Sequence, residues 1–230
     1  PDRNRKPRKY VFESPVVRLA SEYGYRDVYE DGYDIVDPEW EKDAENQPTG
    51  NALDCRSIIV YRYYDAASSL LGDSKTPEIE TFAKGLSELV LRVRDLVCKN
   101  PANAVSPKDF RCYLVAHSMG GLVCRAFLQN PALDPRKTRG YVDKFFTYAT
   151  PHNGIDVAGF NIPSGVALFD INNFDRDKRM PQYLDLVAAK KKHGRVDLIP
   201  EDRFPSRRIF CMVGTNRMDY DAGAGLSRTF

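Results

Sequence analysis

A serine with small residues on both sides lies near the middle of the chain. Residues 113–123 read Tyr-Leu-Val-Ala-His-Ser-Met-Gly-Gly-Leu-Val, which places Ser118 between Ala116 and Gly120. This is the G-x-S-x-G pattern of a nucleophile elbow with Ala in place of the first Gly. The small residues would let a strand and a helix pass closely, so that the turn exposes Ser118 Oγ and directs the Met119 N–H at a developing oxyanion. The alternative is that Ser118 only caps the helix that follows it.

The elements that must position this serine alternate between strands and helices. Four apolar segments have the length and composition of strands, namely 57–64, 110–116, 142–149 and 208–213. A long helix is predicted to begin at Thr76 and Pro77, an N-cap and N1 pair, because apolar residues then recur at spacings of three and four. Those residues are Ile79, Phe82, Ala83, Leu86, Leu89, Val90, Val93, Leu96 and Val97. A second helix is predicted over 120–129, and the alternation predicts an α/β fold with a mainly parallel sheet.

The other segments are predicted to belong to the same domain, which would extend over 10–230. Residues 1–9 are rich in Lys and Arg and are expected to be a basic arm or linker. Residues 10–56 show no sustained periodicity, which predicts loops and short irregular elements. Residues 155–200 are too many for an ordinary connection. They predict a lid-like insertion at the carboxyl ends of the strands, where open α/β sheets bind their ligands.

Composition argues against several classes of protein. The chain has 230 residues, of which 42% are apolar, and its 34 Lys and Arg against 32 Asp and Glu give a net charge of +2. This balance gives no case for a nucleic-acid partner. No run approaches the ~18 consecutive apolar residues of a membrane span, and no secretory signal is visible, which favours a cytoplasmic location. The five cysteines are odd in number and widely spaced, which predicts buried free thiols rather than disulfides or a zinc site.

Two motifs together resemble a known family. The sequence VAHSMGGLVCRAFL around Ser118, followed by Thr-Tyr-Ala-Thr-Pro-His-Asn-Gly at 147–154, is similar to lipase-type α/β-hydrolases, in particular to the group of GPI inositol-deacylase-like lipases and esterases. The resemblance covers roughly 57–154 and 207–228. It implies an α/β-hydrolase fold, with a parallel sheet flanked by helices. It also implies hydrolysis of a carboxylic ester by a Ser, Asp/Glu, His triad in that chain order, on a small-molecule or lipid ester, without a metal or organic cofactor.

The histidines of this chain do not follow that order. His117 neighbours the proposed nucleophile, His152 belongs to the turn that shapes the pocket rim in such lipases, and His193 follows three lysines at a predicted helix end. The family's order places the base after the acid, and no histidine follows position 193. We therefore expect the true base beyond Phe230, with His152 as the candidate within the chain.

The acid has two candidates, Asp219 and Asp221, which follow the strand predicted at 208–213. The alternative is that both are turn aspartates that bond to local backbone. The second oxyanion donor commonly comes from a His-Gly turn in the family, but no histidine occurs before His117. One explanation accounts for the base, the acid and the second oxyanion donor that the family's pattern leaves unassigned here. We expect the chain to be the middle of a hydrolase domain.

Other interpretations stay open at this point. The same fold could carry a thioesterase, an amidase or an acyltransferase, or it could be a non-catalytic, hydrolase-like binding module. Tyr61, Tyr63, Tyr64 and Asp65 end the first strand, where they would either line the pocket or pack in the core. The Lys190–Lys192 run would be a solvated helix face or, alternatively, a peripheral contact with anionic lipid.

Overall fold

The computed structural model describes residues 13–28, 52–61, 63, 78–154, 173–186 and 196–213. In chain order its elements are helix α1 (Glu13–Tyr23), strands β1 (Arg26–Asp27) and β2 (Ser57–Ile58), helix α2 (Ile79–Lys99), strand β3 (Cys112–His117), helix α3 (Met119–Gln129), strand β4 (Val142–Tyr148), helix α4 (Arg179–Tyr183) and strand β5 (Ile209–Met212). Short 3-10 turns lie at Pro101–Asn103, Pro131–Leu133, Thr138–Tyr141 and Ser206–Arg208. Across these described ranges, no helix is both long and apolar enough to cross a membrane.

The chain divides into two compact units, and the first is built around a short parallel pair of strands. Its described residues are 13–28, 52–61 and 92–110. Arg26 of β1 lies opposite Ser57 of β2 in parallel register. The buried Leu53 donates its N–H to the Leu96 carbonyl at 3.2 Å and accepts from the Asn103 side chain at 2.8 Å. These bonds fix the end of α2 against the segment before β2.

This unit differs from the sequence prediction in two places. Helix α1 lies where loops and irregular elements were expected. Val16, Leu19, Ala20 and Tyr23 do recur at helical spacings, but this stripe is only two turns long and Pro15 directly precedes it, so the sequence analysis did not identify a helix. The strand predicted over 57–64 pairs only at Ser57 and Ile58 within the described residues.

The second unit contains a three-stranded parallel sheet in the order β3-β4-β5. Its described residues are 63, 78–91, 111–154, 173–186 and 196–213. Ala116 of β3 lies opposite Thr147 of β4, and Thr147 lies opposite Cys211 of β5. Helix α3 follows β3 after a single residue and carries the chain back to the start of β4, as a parallel crossover requires. The prediction of a mixed α/β fold with parallel strands flanked by helices is confirmed at this level.

The amphipathic stripe predicted for α2 is confirmed. All nine apolar residues of the predicted stripe, from Ile79 to Val97, are buried. The helix extends over 21 residues and contributes to both units. Lys99 lies in its last turn, where a positive charge interacts favourably with the negative end of the helix dipole. Thr76 and Pro77, the predicted start of this helix, lie outside the described residues. The boundaries of β3, α3, β4 and β5 differ from the prediction by at most two residues.

One face of the sheet is buried and the other is exposed. Leu114 and Phe145 lie on the buried face and are 9% and 0% exposed, whereas Tyr113 and Val115 on the opposite face are 55% and 51% exposed. The prediction of β3 as a buried strand therefore holds for one face only. Phe210 of β5 shares the exposed face and stacks on Phe146 with ring centroids 4.8 Å apart.

A buried polar network attaches α2 to the segment that leads into β4. Asp134 accepts hydrogen bonds from the Ser87 hydroxyl at 2.9 Å, from the Thr138 backbone at 2.7 Å and from the Thr138 hydroxyl at 2.8 Å. All three side chains are buried, and Asp134 also accepts from the Arg139 backbone N–H at 3.0 Å. The carboxylate therefore has the partners that its burial requires.

The segment predicted as a lid-like insertion is described at 173–186 and 196–200. Gln129 and Asn130, at the end of α3, donate side-chain hydrogen bonds to the carbonyls of Leu184 and Tyr183 at 2.8 and 3.1 Å. This end of the helix is about 16 Å from its start along the axis. The described part of the segment therefore packs against the end of α3. Residues 155–172 and 187–195 lie outside the described residues, and the lid-like insertion stays a prediction.

Candidate active site

Ser118 occupies a strained backbone conformation at the tip of the turn between β3 and α3. Its φ and ψ are 51° and −127°, a combination that residues other than glycine rarely adopt. The Ser118 N–H donates to the Tyr148 carbonyl at the end of β4, with an N···O distance of 2.9 Å. Strained residues that a surrounding structure holds in place cluster at functional sites. The observed turn is the one that the strand–Ala-His-Ser-Met-Gly–helix pattern predicts.

The Ser118 side chain does not cap α3. It makes no hydrogen bond to the first turn of the helix, although a serine at this position is a common N-cap. The backbone closes the turn instead, since the Gly121 N–H donates to the Ser118 carbonyl at 3.0 Å. The hydroxyl is therefore not used to satisfy the helix. The Met119 N–H is the first of α3 and has no partner within the helix, as is general for the first four N–H groups.

Small residues pack the strand and the helix together below the serine. A Cβ built on Gly120 would lie 3.8 Å from the Ala116 Cβ and 3.5 Å from the Tyr63 hydroxyl oxygen, which are ordinary contact distances. A Cβ on Gly121 would overlap with the Thr150 side chain, lying 2.7 Å from its Cβ and closer still to its hydroxyl. The position that excludes a side chain is therefore Gly121, one residue beyond the motif, where helix α3 meets the turn after β4.

This contrast gives a matched pair of substitutions. Gly121→Ala is expected to lower the free energy of unfolding by about 2–3 kcal/mol, because the new methyl displaces Thr150 or the helix. Gly120→Ala is expected to change it by less than about 1 kcal/mol, since its methyl fits and alanine favours the helix. Urea unfolding of the two variants beside the wild type measures both. Equal losses in the two variants would show that Thr150 yields without cost.

The turn that follows β4 lies beside the serine and is strained as well. Ala149 has a φ of 48° and donates its N–H to the Met212 carbonyl of β5 at 3.0 Å. Gly154 closes the turn with a φ of 78°, and a Cβ there would lie 2.7 Å from the Phe174 carbonyl oxygen. Two residues with positive φ, Ser118 and Ala149, thus stand at the carboxyl ends of neighbouring parallel strands. This is the edge at which open α/β sheets bind their ligands.

Arg125 fastens this turn to α3 and to the segment before β5. It is fully buried, and its guanidinium donates to the carbonyls of His152 at 2.8 Å, of Leu198 at 2.9 Å, and of Val196. Burial lowers the pKa of Arg125 to about 10, which leaves it charged at neutral pH. Sequence reasoning did not single out this residue. A charged residue in the middle of the apolar run Leu-Val-Cys-Arg-Ala-Phe-Leu is the signal that could have identified it.

His152 is held as part of the turn. Its Nε2 lies 3.1 Å from the hydroxyl of the buried Thr147, and its ring packs edge-on against Phe145 with centroids 6.4 Å apart. Burial, and then the nearby Arg125 cation, lower the pKa of His152 from 6.5 to about 4. A histidine with this pKa is a weak base, and its contacts describe a structural group. Its assignment as the catalytic base within the chain therefore gains no support from these contacts and stays a prediction.

The remaining site residues of the sequence prediction are distributed as follows. His117 is exposed and precedes Ser118 on the face of β3 opposite Ala116. His193, Asp219 and Asp221 lie outside the described residues, as does the Lys190–Lys192 run. Among the described residues, no group of three His, Cys, Asp or Glu side chains could hold a metal ion.

The five cysteines are free thiols that differ in exposure. All five are free, but only Cys124 is buried, so the prediction of buried thiols is wrong for Cys55 and Cys211, which are exposed. Cys211 is exposed because it lies on β5, the outermost described strand of the sheet. Desolvation raises the pKa of the buried Cys124 thiol, and that of the half-buried residue Cys112, to about 12, and a protonated thiol is a poor nucleophile.

Comparisons with known proteins give neither a family nor a function for this chain. No protein-family model, no curated protein and no solved structure matches this chain.

Proposed function

We propose that the chain is a serine hydrolase of carboxylic esters, of the esterase or lipase type and with the α/β-hydrolase fold, in which Ser118 is the nucleophile. The observation that carries the proposal is the conformation of Ser118. Its positive φ lies on a turn between a parallel strand and a helix, and its side chain is not used as a helix cap. A structural serine has no need of this strained backbone, whereas a nucleophile elbow requires it.

The proposed reaction begins when Ser118 Oγ attacks the carbonyl carbon of the ester. The Oγ–carbon bond forms, the π electrons move to the carbonyl oxygen, and a general base takes the hydroxyl proton. The Met119 N–H donates to the resulting oxyanion, and the positive end of the α3 dipole favours the same charge. As the intermediate collapses, the protonated base gives its proton to the leaving oxygen and the alcohol departs. The same base then takes a proton from water, which attacks the acyl-enzyme, and returns it to Ser118 Oγ as the acid is released. A base beyond Phe230 and an acid at Asp219 or Asp221 remain part of the proposal.

A fluorophosphonate probe tests the nucleophile directly. The whole natural protein that contains this chain is treated with the probe, digested, and mapped by mass spectrometry. We expect the phosphonyl group on Ser118 Oγ, with loss of fluoride, and no labelling in Ser118→Ala. Ser206→Ala serves as the matched control because Ser206 is an exposed serine on a 3-10 turn, so its loss should leave labelling unchanged. Labelling of a different serine, or none in a protein with measured esterase activity, would overturn the assignment.

A further inference from the structure

The Tyr63 side chain reaches the first turn of α3, beside Gly120, which follows the proposed nucleophile by two residues. Its hydroxyl oxygen lies 3.5 Å, and its Cε1 4.0 Å, from the point that a Cβ on Gly120 would occupy. Gly120 follows Met119, whose N–H is the oxyanion donor of the proposed reaction. The phenol therefore lies at the end of the helix where unpaired N–H groups and the dipole create a positive potential.

The ring of Tyr63 is held by packing against α2. Its centroid lies 4.8 Å from that of Phe82, with 48° between the ring planes, and Phe82 is 7% exposed. Tilted pairs at this separation are favourable beyond the area that they bury. A hydroxyl on a ring that is fixed in this way needs little reorganisation during a reaction, which is the property that makes a hydrogen-bond donor effective toward a transition state.

We propose that Tyr63 is a catalytic residue whose hydroxyl donates the second hydrogen bond to the oxyanion, beside the Met119 N–H. The inference rests on the proposed function and adds the donor that the elbow alone does not provide. Tyrosine hydroxyls are among the side chains that form oxyanion holes. The phenol keeps its proton throughout, because the proton released in this step is that of the Ser118 hydroxyl and the general base accepts it.

The first test replaces Tyr63 by phenylalanine in the whole natural protein. The variant keeps the ring on Phe82 and removes only the hydroxyl. We expect kcat for a p-nitrophenyl ester to fall by about 10²–10³-fold, as for the loss of other oxyanion donors, while KM changes little. Tyr113→Phe is the matched control, since this tyrosine lies on the same strand as the elbow but on its exposed face, where its ring contacts Lys144. It should leave kcat unchanged.

A second variant separates catalysis from packing. Incorporating 3-fluorotyrosine at position 63 retains both the ring and the hydroxyl but makes the phenol more acidic. An ionised phenol cannot donate a hydrogen bond, so kcat should fall at a lower alkaline pH than in the wild type. A purely structural Tyr63 would not move this pH profile.

The outcomes separate this role from the proposed function. If the wild type labels at Ser118 but Tyr63→Phe keeps its kcat, or if the fluorinated protein keeps the wild-type pH profile, the role of Tyr63 is overturned while the hydrolase proposal stands. If Tyr63→Phe loses activity only because it unfolds, an unchanged pH profile of the fluorinated protein overturns the role. If the wild type neither labels at Ser118 nor hydrolyses esters, the hydrolase proposal and the role of Tyr63 as an oxyanion donor both fail.

Discussion

Replacing Ser118 by glycine is expected to abolish ester hydrolysis and, at the same time, to stabilise the fold. Loss of the nucleophile in serine hydrolases lowers kcat by roughly 10⁶-fold, and neither glycine nor alanine can replace the hydroxyl. The effect on stability differs between the two because the φ of Ser118 is 51°. Strain in such a conformation costs about 1–3 kcal/mol. Glycine relieves this strain, but its greater conformational entropy in the unfolded chain offsets about 1 kcal/mol of the stabilisation.

The expected net result is a Ser118→Gly variant that is about 1 kcal/mol more stable than the wild type, beside a Ser118→Ala variant of nearly wild-type stability. Both should be inactive in the whole natural protein. Thermal or urea unfolding measures the stability of the two variants, and hydrolysis of a p-nitrophenyl ester measures their activity. A Ser118→Gly variant less stable than Ser118→Ala would show that the backbone at this residue is not strained. Retained hydrolysis in either variant would remove Ser118 from the reaction.

The elements around the candidate site could be predicted because local sequence determines them. The nine buried apolar residues of α2 follow a three- and four-residue spacing that only one helix face can satisfy. The turn at Ser118 was predictable for a similar reason, since an apolar strand, a small residue and a Met-Gly-Gly helix start leave few backbone solutions. Such signals depend on residues that are close in sequence.

Features that depend on distant residues could not be predicted in this way. The exclusion of a side chain at Gly121 arises from Thr150, which is 29 positions away in the chain. The exposure of Tyr113 and Val115 depends on which elements cover a face of the sheet, and composition treats them as core residues. The strand expected at 57–64 has the right composition, but pairing with another strand decides strand formation, and only its first two residues pair among those described.

Arg125 is the feature for which the largest loss of stability is expected. It joins three segments, since its guanidinium donates to the carbonyls of His152, Val196 and Leu198. Replacing it by methionine keeps much of its volume but leaves these carbonyls without their donor in a buried site. We expect the free energy of unfolding to fall by about 3–5 kcal/mol, as when other buried charged partners are removed. Arg136→Met is the matched control, because its ion pair with Glu88 is exposed and should contribute less than about 1 kcal/mol.

The pH dependence of stability tests whether Arg125 also acts on His152. In the unfolded chain this histidine takes up a proton near pH 6.5, whereas the folded protein holds its pKa at about 4 through burial and, secondly, through the Arg125 cation. The unfolded state therefore binds more protons between these values, so acidification from pH 6.5 to 4 removes stability, up to about 3 kcal/mol from this group. Without the cation the folded pKa rises toward 6.5, although burial still lowers it. Urea unfolding at pH 7 and pH 4.5 should consequently show that acidification lowers the free energy of unfolding less in Arg125→Met than in the wild type. If acidification lowers the stability of the two proteins equally, burial alone keeps His152 neutral, and Arg125 holds the turn only through its hydrogen bonds.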